Sequence, residues 1–327
     1  MIQDSNIIHF LTDNFSRTHN DTTPEIINIT RLGLQKRLFI RLTGNIIVQH
    51  SELTPPKFVA SGFIGKLIDK IDFSPKNLLL KSIPAKTLIM LDSYDFDGNF
   101  PVVEPSGDIT SGESYAFSAV LTLHFDLQHK NYLSNSRKFS RLFINTKTNE
   151  LKIYPNAAAN VIDGAFTSAI TNFSVELLCD EGNEPITPTA VNKQIYKIVN
   201  WVGSNDKLII QSLTEPTTIK QIMLRFSDNG VDADNLLSKL KVVVNDNTTI
   251  IQLTAAQIKD LNYKTFDKAN DTGVYFLTFD NEHTLAQFLQ IGTTYKKVEI
   301  QAEVNAATVG KIEILLDELY PVKQFFA

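Results

Sequence analysis

The chain has 327 residues, of which 43% are hydrophobic and 20% are charged, and its formal net charge is −5. This length predicts about two domains, and this composition excludes a disordered chain. Charged residues form no long run, which argues against a nucleic-acid-binding groove, and the single cysteine excludes disulfide frameworks and cysteine-based zinc clusters. The sequence has no stretch of 18 apolar residues for a membrane span, and Met1–Phe10 lacks the Lys or Arg of a secretory signal.

Residues 1–27 are predicted to form an N-terminal arm. Four apolar residues recur there at the spacing of a short amphipathic helix: Ile7, Ile8, Leu11 and Phe15. The polar stretch after them ends at Pro24. We expect this arm to pack on the body of the protein, on a neighbouring subunit or on a lipid surface.

The next part of the chain alternates between apolar and polar residues, which is typical of β-strands. The alternation is nearly regular from Ile26 to Leu42, and the dipeptide Gly44-Asn45 predicts a turn. Thr87–Leu91 is a short apolar run that we interpret as a strand. Tyr115–Leu127 alternates over its whole length and predicts a long strand.

Asn183–Pro188, with two prolines within four residues, is the best candidate for a linker between domains. Strand patterns resume after it, and Thr254 is predicted to cap a short helix over Ala255–Leu261. His283–Gln290 is a second helical candidate. Because only two or three short segments are helical, we expect an all-β chain with about sixteen short strands.

Two pairs of similar segments occur in the same order in the two halves. Leu38–Leu42 resembles Ile222–Phe226, and Val175–Glu181 resembles Ile312–Glu318. We infer a tandem duplication in which each half forms an eight-stranded β-sandwich. The predicted boundaries are residues 28–185 for the first sandwich, residues 186–319 for the second, and residues 320–327 for a C-terminal tail.

The sharpest local motif is similar to a calcium-binding loop. Asp95, Asp97 and Glu104 have the spacing of positions three, five and twelve of an EF-hand loop, with Gly98 at the bend. Ser93 replaces the expected first aspartate, and the strand pattern before it does not suit an entering helix. An aspartate-rich β-turn gives the same residues, so a structural calcium ion and an ordinary turn both stay open, and no other cofactor is expected.

Catalytic motifs are absent from the sequence: it has no nucleophile elbow, phosphate loop, dinucleotide fingerprint or metal-binding histidine pattern. His124 falls on the polar face of a predicted strand and is expected at the surface, with His129 just beyond the strand. Cys179 ends another predicted strand and is expected to be a buried, inert thiol. We therefore predict that the protein is not an enzyme.

The chain ends in an apolar tail that contains Phe325 and Phe326. An exposed pair of phenylalanines attracts partners, so the tail packs either on its own sandwich or against a neighbouring subunit or a membrane. We expect a chain without residues 320–327 to fold but to assemble poorly.

Two tandem β-sandwiches, a proline-bearing linker, a short arm and an apolar tail together resemble the double jelly-roll major capsid proteins of icosahedral viruses. The four matched segments carry the resemblance: Leu38–Leu42, Ile222–Phe226, Val175–Glu181 and Ile312–Glu318. Within that family, the size and the Asn/Ile/Lys-rich composition of the chain are similar to those of the major capsid protein of a lipid-containing phage of Flavobacterium. The resemblance implies two eight-stranded jelly-roll barrels with a few short helices.

The same resemblance implies a function and partners. Three copies would form a pseudo-hexameric trimer, and neighbouring trimers, with penton or minor capsid proteins, would tile a virion shell around an internal lipid membrane. The protein would be made in the host cytoplasm, and its weak acidity argues against direct, sequence-specific nucleic-acid binding. The arm and the tail would contact lipid or an adjacent trimer. The residues that make this contact would be Ile7, Ile8, Leu11, Phe15, Phe325 and Phe326.

Two other classes of protein stay open on the sequence alone. A phage tail or spike component, or a carbohydrate-binding β-sandwich, would use exposed aromatic residues, although the single tryptophan, Trp201, argues against sugar stacking. An enzyme on a cupin-like jelly roll would need a cluster of His and Glu metal ligands. His124 and His129 cannot supply such a cluster alone.

Overall fold

The computed structural model describes residues 6–18, 20–29, 33–75, 78–95, 101–125, 142–144, 149–182, 190–279 and 289–321. These residues fall into two compact units, the first ending at Gly182 and the second beginning at Ala190. Antiparallel strands dominate both units, which confirms the predicted all-β class. Within the described ranges, no helix has both the length and the hydropathy needed to cross a bilayer.

The first unit consists of a five-stranded and a four-stranded antiparallel sheet, with a short two-stranded sheet beside them. One has the strand order β1-β11-β3-β7, with β8 also paired to β3, and the other has the order β2-β9-β5-β6, while β4 pairs with β10. The elements in chain order are β1 (Asn6–Thr18), β2 (Glu25–Ile29), β3 (Gly33–Gln49), β4 (Lys57–Phe58), α1 (Phe63–Leu67), β5 (Ile68–Pro75), β6 (Lys81–Pro84), α2 (Ala85–Asp95), β7 (Ser114–His124), β8 (Leu142–Ile144), β9 (Asn149–Pro155), β10 (Ile162–Asp163) and β11 (Ser168–Gly182).

The second unit has the same construction. Its sheets have the orders β12-β21-β14-β18, with β15 and β19 also paired to β14, and β13-β20-β16-β17. Its elements are β12 (Ala190–Trp201), β13 (Asn205–Leu213), β14 (Thr217–Asp228), β15 (Val231–Asp232), β16 (Leu237–Val244), β17 (Thr248–Thr254), α3 (Ala255–Phe266), β18 (Val274–Thr278), β19 (Leu289–Ile291), β20 (Val298–Val304) and β21 (Gly310–Pro321).

The connectivity of the two units is identical in its eight main strands. In each unit the first strand pairs with the last, the last with the third, and the third with the strand that follows the larger helix. The other four strands form the second sheet in the same order. This double Greek-key connectivity is the jelly roll, and it occurs twice in the chain.

The segments that match in sequence lie on equivalent strands. Leu38–Leu42 is on β3 and Ile222–Phe226 is on β14, and each pairs with the second matched segment of its own unit. The registers also agree, because Ile40 lies opposite Leu177 in the first unit and Leu224 lies opposite Ile314 in the second. The structure thus supports the duplication inferred from the sequence.

Alternation along these strands builds the core of each unit. On β14 and β21 every second side chain is buried between the sheets, including Leu224, Phe226 and Ile314. Full burial of one such side chain stabilises the fold by about 1.5–3 kcal/mol. Aromatic rings continue this core, since Phe226 meets both Trp201 and Tyr275 edge to face, with ring centroids 6.0 and 5.7 Å apart.

The helix predicted for the N-terminal arm is wrong, because residues 6–18 form β1 and pair with β11 along their whole length. Ile8 lies opposite Cys179 and Leu11 opposite Leu177, so Phe10 is an extra residue in a β-bulge. A bulge inserts one residue and shifts the phase of a strand by one position. A spacing of three between Ile8 and Leu11 therefore imitates a helical pattern.

The turn predicted at Gly44-Asn45 is also wrong, since β3 runs through it without a break. A Cβ at position 44 would lie 2.3 Å from the carbonyl oxygen of Asn172 and 2.7 Å from the ring of Phe117. Gly44 is therefore a glycine of close packing inside a strand rather than a turn residue.

The strand predicted over Thr87–Leu91 is a helix, α2. Ala85, Leu88 and Leu91 are buried at spacings of three residues, and Pro84 directly precedes the first turn, where a proline costs no hydrogen bond. The helix predicted after Thr254 is confirmed, with a capping box between Thr254 and Gln257. Most of His283–Gln290 lies outside the described residues, which resume at Leu289 in β19.

Candidate assembly surfaces and the predicted calcium site

The apolar residues of the arm lie at the edge of the first sheet. Ile7, Ile8, Leu11 and Phe15 all belong to β1, which has β11 on one side. The half-buried ring of Phe15 packs 5.2 Å from the ring of Phe173. Phe325 and Phe326 of the tail lie outside the described residues, and contact of these six residues with lipid or another trimer stays a prediction.

Glu104 is the one predicted calcium ligand whose side chain falls among those that the structure describes. Asp95 is the last residue of α2, and Asp97 lies outside the described residues. Glu104 has a structural partner, because its Oε1 accepts a hydrogen bond of 2.9 Å from the backbone N–H of Ile64 in α1. The described part of the chain holds no group of three or more His, Cys, Asp or Glu side chains suited to a metal ion. The calcium ion stays a prediction.

His124 is buried, which corrects its predicted place at the surface. Helix α2 covers that side of β7, so its Asp92 Oδ1 lies 3.5 Å from the His124 Nε2 atom. Because Thr87–Leu91 was expected to form a strand, no helix was expected to cover the side of β7 that carries His124. His129 lies outside the described residues, and Cys179 is a buried free thiol as predicted.

Each unit carries an arginine–glutamate pair at the same register position. In the first unit Arg41 of β3 lies opposite Glu176 of β11, with Nη1 2.9 Å from Oε2. In the second unit Arg225 of β14 lies opposite Glu313 of β21, at 3.8 Å. These pairs were not predicted, although the sequence contains their signal: both pairs of matched segments carry Arg and Glu at equivalent positions.

The second pair has an additional counter-charge. The Arg225 guanidinium also binds Asp232 of β15 through two nitrogens, with Nε 3.0 Å from Oδ1 and Nη2 2.5 Å from Oδ2. Burial is the largest single influence and lowers the pKa of Arg225, but the hydrogen bonds to Asp232 and the charges of Asp232 and Glu313 together outweigh it and raise that pKa. The guanidinium is thus a fixed cation held between two carboxylates.

A shallow groove of about 400 Å³ lies beside the Arg41 pair on the first unit. Its lining combines two phenylalanine rings with hydroxyl and carboxamide groups, and none of its side chains is ionisable. The groove is lined by Phe15, Ser16, Thr43, Gly44, Asn45, Asn172, Phe173 and Ser174.

A buried polar cluster lies where β21 approaches its C-terminal end. Asp317 accepts a hydrogen bond of 2.5 Å from Asn192 and lies 3.7 Å from the Lys220 ammonium. Burial raises the pKa of the neighbouring Glu318, against the attraction of Lys193 at 3.9 Å. The carboxylates here are held by partners within the unit and have the character of a structural network.

Comparison with known proteins gives matches of structure only. No protein-family model and no curated protein sequence matches the chain. The major capsid protein of Sulfolobus turreted icosahedral virus matches with a TM-score of 0.69 and 14% sequence identity, over 98% of this chain and 99% of that one.

Capsid proteins of other viruses match over similar lengths. The major capsid protein P2 of bacteriophage PM2 gives a TM-score of 0.59 at 12% identity, over 94% of this chain and 98% of that one. The capsid of PBCV-1 virus gives a TM-score of 0.59 at 9% sequence identity, over 96% of this chain and 94% of that one. None of these matches tests the finer likeness to a phage of Flavobacterium. The fold of this chain is the double jelly roll of viral major capsid proteins.

Proposed function

We propose that this protein is a structural major capsid protein that self-associates into trimers and tiles the shell of an icosahedral virion. The observation that carries the proposal is the length of the structural match, since capsid proteins of two viruses align with more than nine-tenths of both chains. A match of that extent includes both barrels and the connections between their strands.

The repeated fold supports a three-fold assembly. Two barrels with one connectivity give a trimer six similar barrels, and such a tile presents similar edges to all of its neighbours. Such repetition suits a closed shell, because one kind of interface then serves many contacts. We further propose that the shell encloses an internal lipid membrane and that penton or minor capsid proteins are partners. The role of the chain in the capsid involves no catalysis.

The native mass of the purified protein tests this function. Three copies of the 36.7 kDa chain give about 110 kDa, and we expect light scattering after size exclusion to find that mass or a particle of many megadaltons. Electron microscopy of the heavier fraction should show closed shells. A monomer at every concentration would overturn the proposal and favour a β-sandwich recognition protein, for which glycan binding would be screened next.

A further inference from the structure

The edge strand β18 of the second unit lacks a feature that two other edge strands of that unit have. The strands β13 and β17 bound the sheet β13-β20-β16-β17, and extra residues interrupt the register of each. Such bulges keep an edge from serving as a template for another strand. In contrast, β18 pairs with β14 without a register shift, and no described strand lies on its other side. Its residues, Val274–Thr278, are uncharged and strongly β-prone, so this edge is well suited to strand addition.

Two asparagine side chains occupy that edge. Asn262 of α3 donates through Nδ2 to the carbonyl oxygen of Phe276 at 2.6 Å, and its Oδ1 accepts from the Phe276 N–H at 2.8 Å. Asn270 donates through Nδ2 to the carbonyl oxygen of Val274 at 2.9 Å. The N–H of Val274 donates to the carbonyl oxygen of Asp271 at 3.1 Å. The backbone N–H and C=O groups of Val274 and Phe276 are therefore all engaged.

These bonds imitate those of a β-ladder. In an antiparallel pair, a residue exchanges bonds through both its N–H and its C=O with the residue opposite, and every second residue does so on the same side. The carboxamide of Asn262 supplies one acceptor and one donor to Phe276, as the backbone of a neighbouring strand would. Because Val274 precedes Phe276 by two residues, the two asparagines fill successive positions along the outer side of β18.

The position of Asn262 on α3 supports this role. Ile258 and Asn262 are buried one turn apart, at 1% and 2% exposure. Asparagine is seldom buried, and an apolar residue would continue the buried stripe that Ile258 begins. Asn270 also donates through Nδ2 to the Oδ1 of Asn262 at 2.7 Å, which fixes the orientation of the Asn262 carboxamide. The polar side chain at this buried position is thus aimed at the strand edge.

We propose that Asn262 and Asn270 close the edge of β18 to strand addition by a second copy of this chain. Two copies of an uncharged edge strand can pair antiparallel about a two-fold axis, with the same residues contributed by each copy. Such pairing needs only the backbone groups of the edge, so it would compete with any ordered association of the chain. The two carboxamides remove those groups from reach. The inference goes beyond the proposed function and does not depend on it.

Asn262→Ala in the full-length chain tests the inference, because it removes both bonds to Phe276. We expect sedimentation velocity to find species of irregular size at about tenfold lower protein concentration than for the unaltered chain, and infrared spectra of these species to show intermolecular β-sheet. Asn270→Ala frees the carbonyl group of Val274 alone and should lower the threshold concentration about threefold. The control is Thr254→Ala, which weakens the first turn of α3 but keeps both asparagines, and its threshold should stay within about twofold of that of the unaltered chain.

Two results would overturn the inference. One is a threshold for Asn262→Ala equal to that for Thr254→Ala, and the other is association without intermolecular β-sheet, since the asparagines would then only hold α3 in place. If Asn262→Ala does not fold, the threshold for Asn270→Ala decides in the same way. Trimers and closed particles have defined masses, so the same runs test the proposed function separately. An unaltered chain that stays monomeric would overturn that function and leave this inference intact.

Discussion

Gly310 lies directly against the indole ring of Trp201, across the pairing of β12 with β21. A Cβ at position 310 would lie 2.5 Å from two atoms of that ring. The ring is itself held in place, since its Nε1–H donates to the carbonyl oxygen of Asn305 at 3.2 Å. Gly310→Ala should therefore destabilise the protein by about 1–3 kcal/mol through overpacking. Urea unfolding followed by the fluorescence of Trp201, the single tryptophan, measures this directly.

Gly230→Ala separates the clash from backbone strain. Gly230 has a φ of 79° but no atom within 4 Å of an added Cβ, so its substitution costs only the left-handed conformation, about 1–2 kcal/mol. In a Trp201→Leu background, where unfolding is followed by circular dichroism because the tryptophan is gone, the cost of Gly310→Ala should fall and the cost at Gly230 should not. Equal costs of Gly310→Ala in both backgrounds would contradict the packing explanation.

The sequence predicts strands and cores where alternation is strict, and it is ambiguous where one residue breaks the pattern. Tyr115–Leu127 and the matched segments were recognisable because period-two patterns are local. The bulge at Phe10 and the packed Gly44 were not, because both depend on a neighbouring strand.

The capping box of α3 should be worth a measurable part of the stability of the second unit. Thr254 Oγ1 accepts from the N–H of Gln257 at 3.3 Å, and the Gln257 side chain accepts from the N–H of Thr254 at 2.9 Å. Thr254→Ala should cost about 1 kcal/mol, within a range of roughly 0.5–2.

Denaturant midpoints of the two variants measure this cost. The control is Thr265→Ala in the same helix, because the Thr265 hydroxyl donates to the carbonyl oxygen of Leu261 within the helix and alanine has the higher helix propensity. A loss at Thr265 as large as that at Thr254 would mean that the cap contributes nothing specific.

The pairing of β21 sets where the tail can be cut. Tyr320 lies opposite Val191 and Pro321 opposite Ala190, so removal of residues 320–327 would shorten a paired strand. Deletion of residues 322–327 spares those pairs and should leave the thermal midpoint unchanged while it lowers the yield of assembled particles. A fall in the midpoint as large as that caused by the 320–327 deletion would place the tail in the core of the second unit instead.

Glu318 should make the protein less stable as the pH rises. Burial raises its pKa above the ordinary value of 4.5, so the folded state binds the proton more tightly than the unfolded state. Its contribution is therefore fully present below about pH 4.5 and is lost as the pH rises through the folded-state pKa.

Glu318→Gln is neutral throughout, and it should be more stable than the unaltered chain at pH 7 and no more stable at pH 4. Urea unfolding at pH 4, 5.5 and 7 measures the difference. Glu299→Gln provides a control of opposite sign, because hydrogen bonds from Lys297 and Gln301 lower the pKa of that half-buried carboxylate. A stability gain for Glu318→Gln that is the same at all three values would show that the carboxylate stays ionised and that its effect is one of packing.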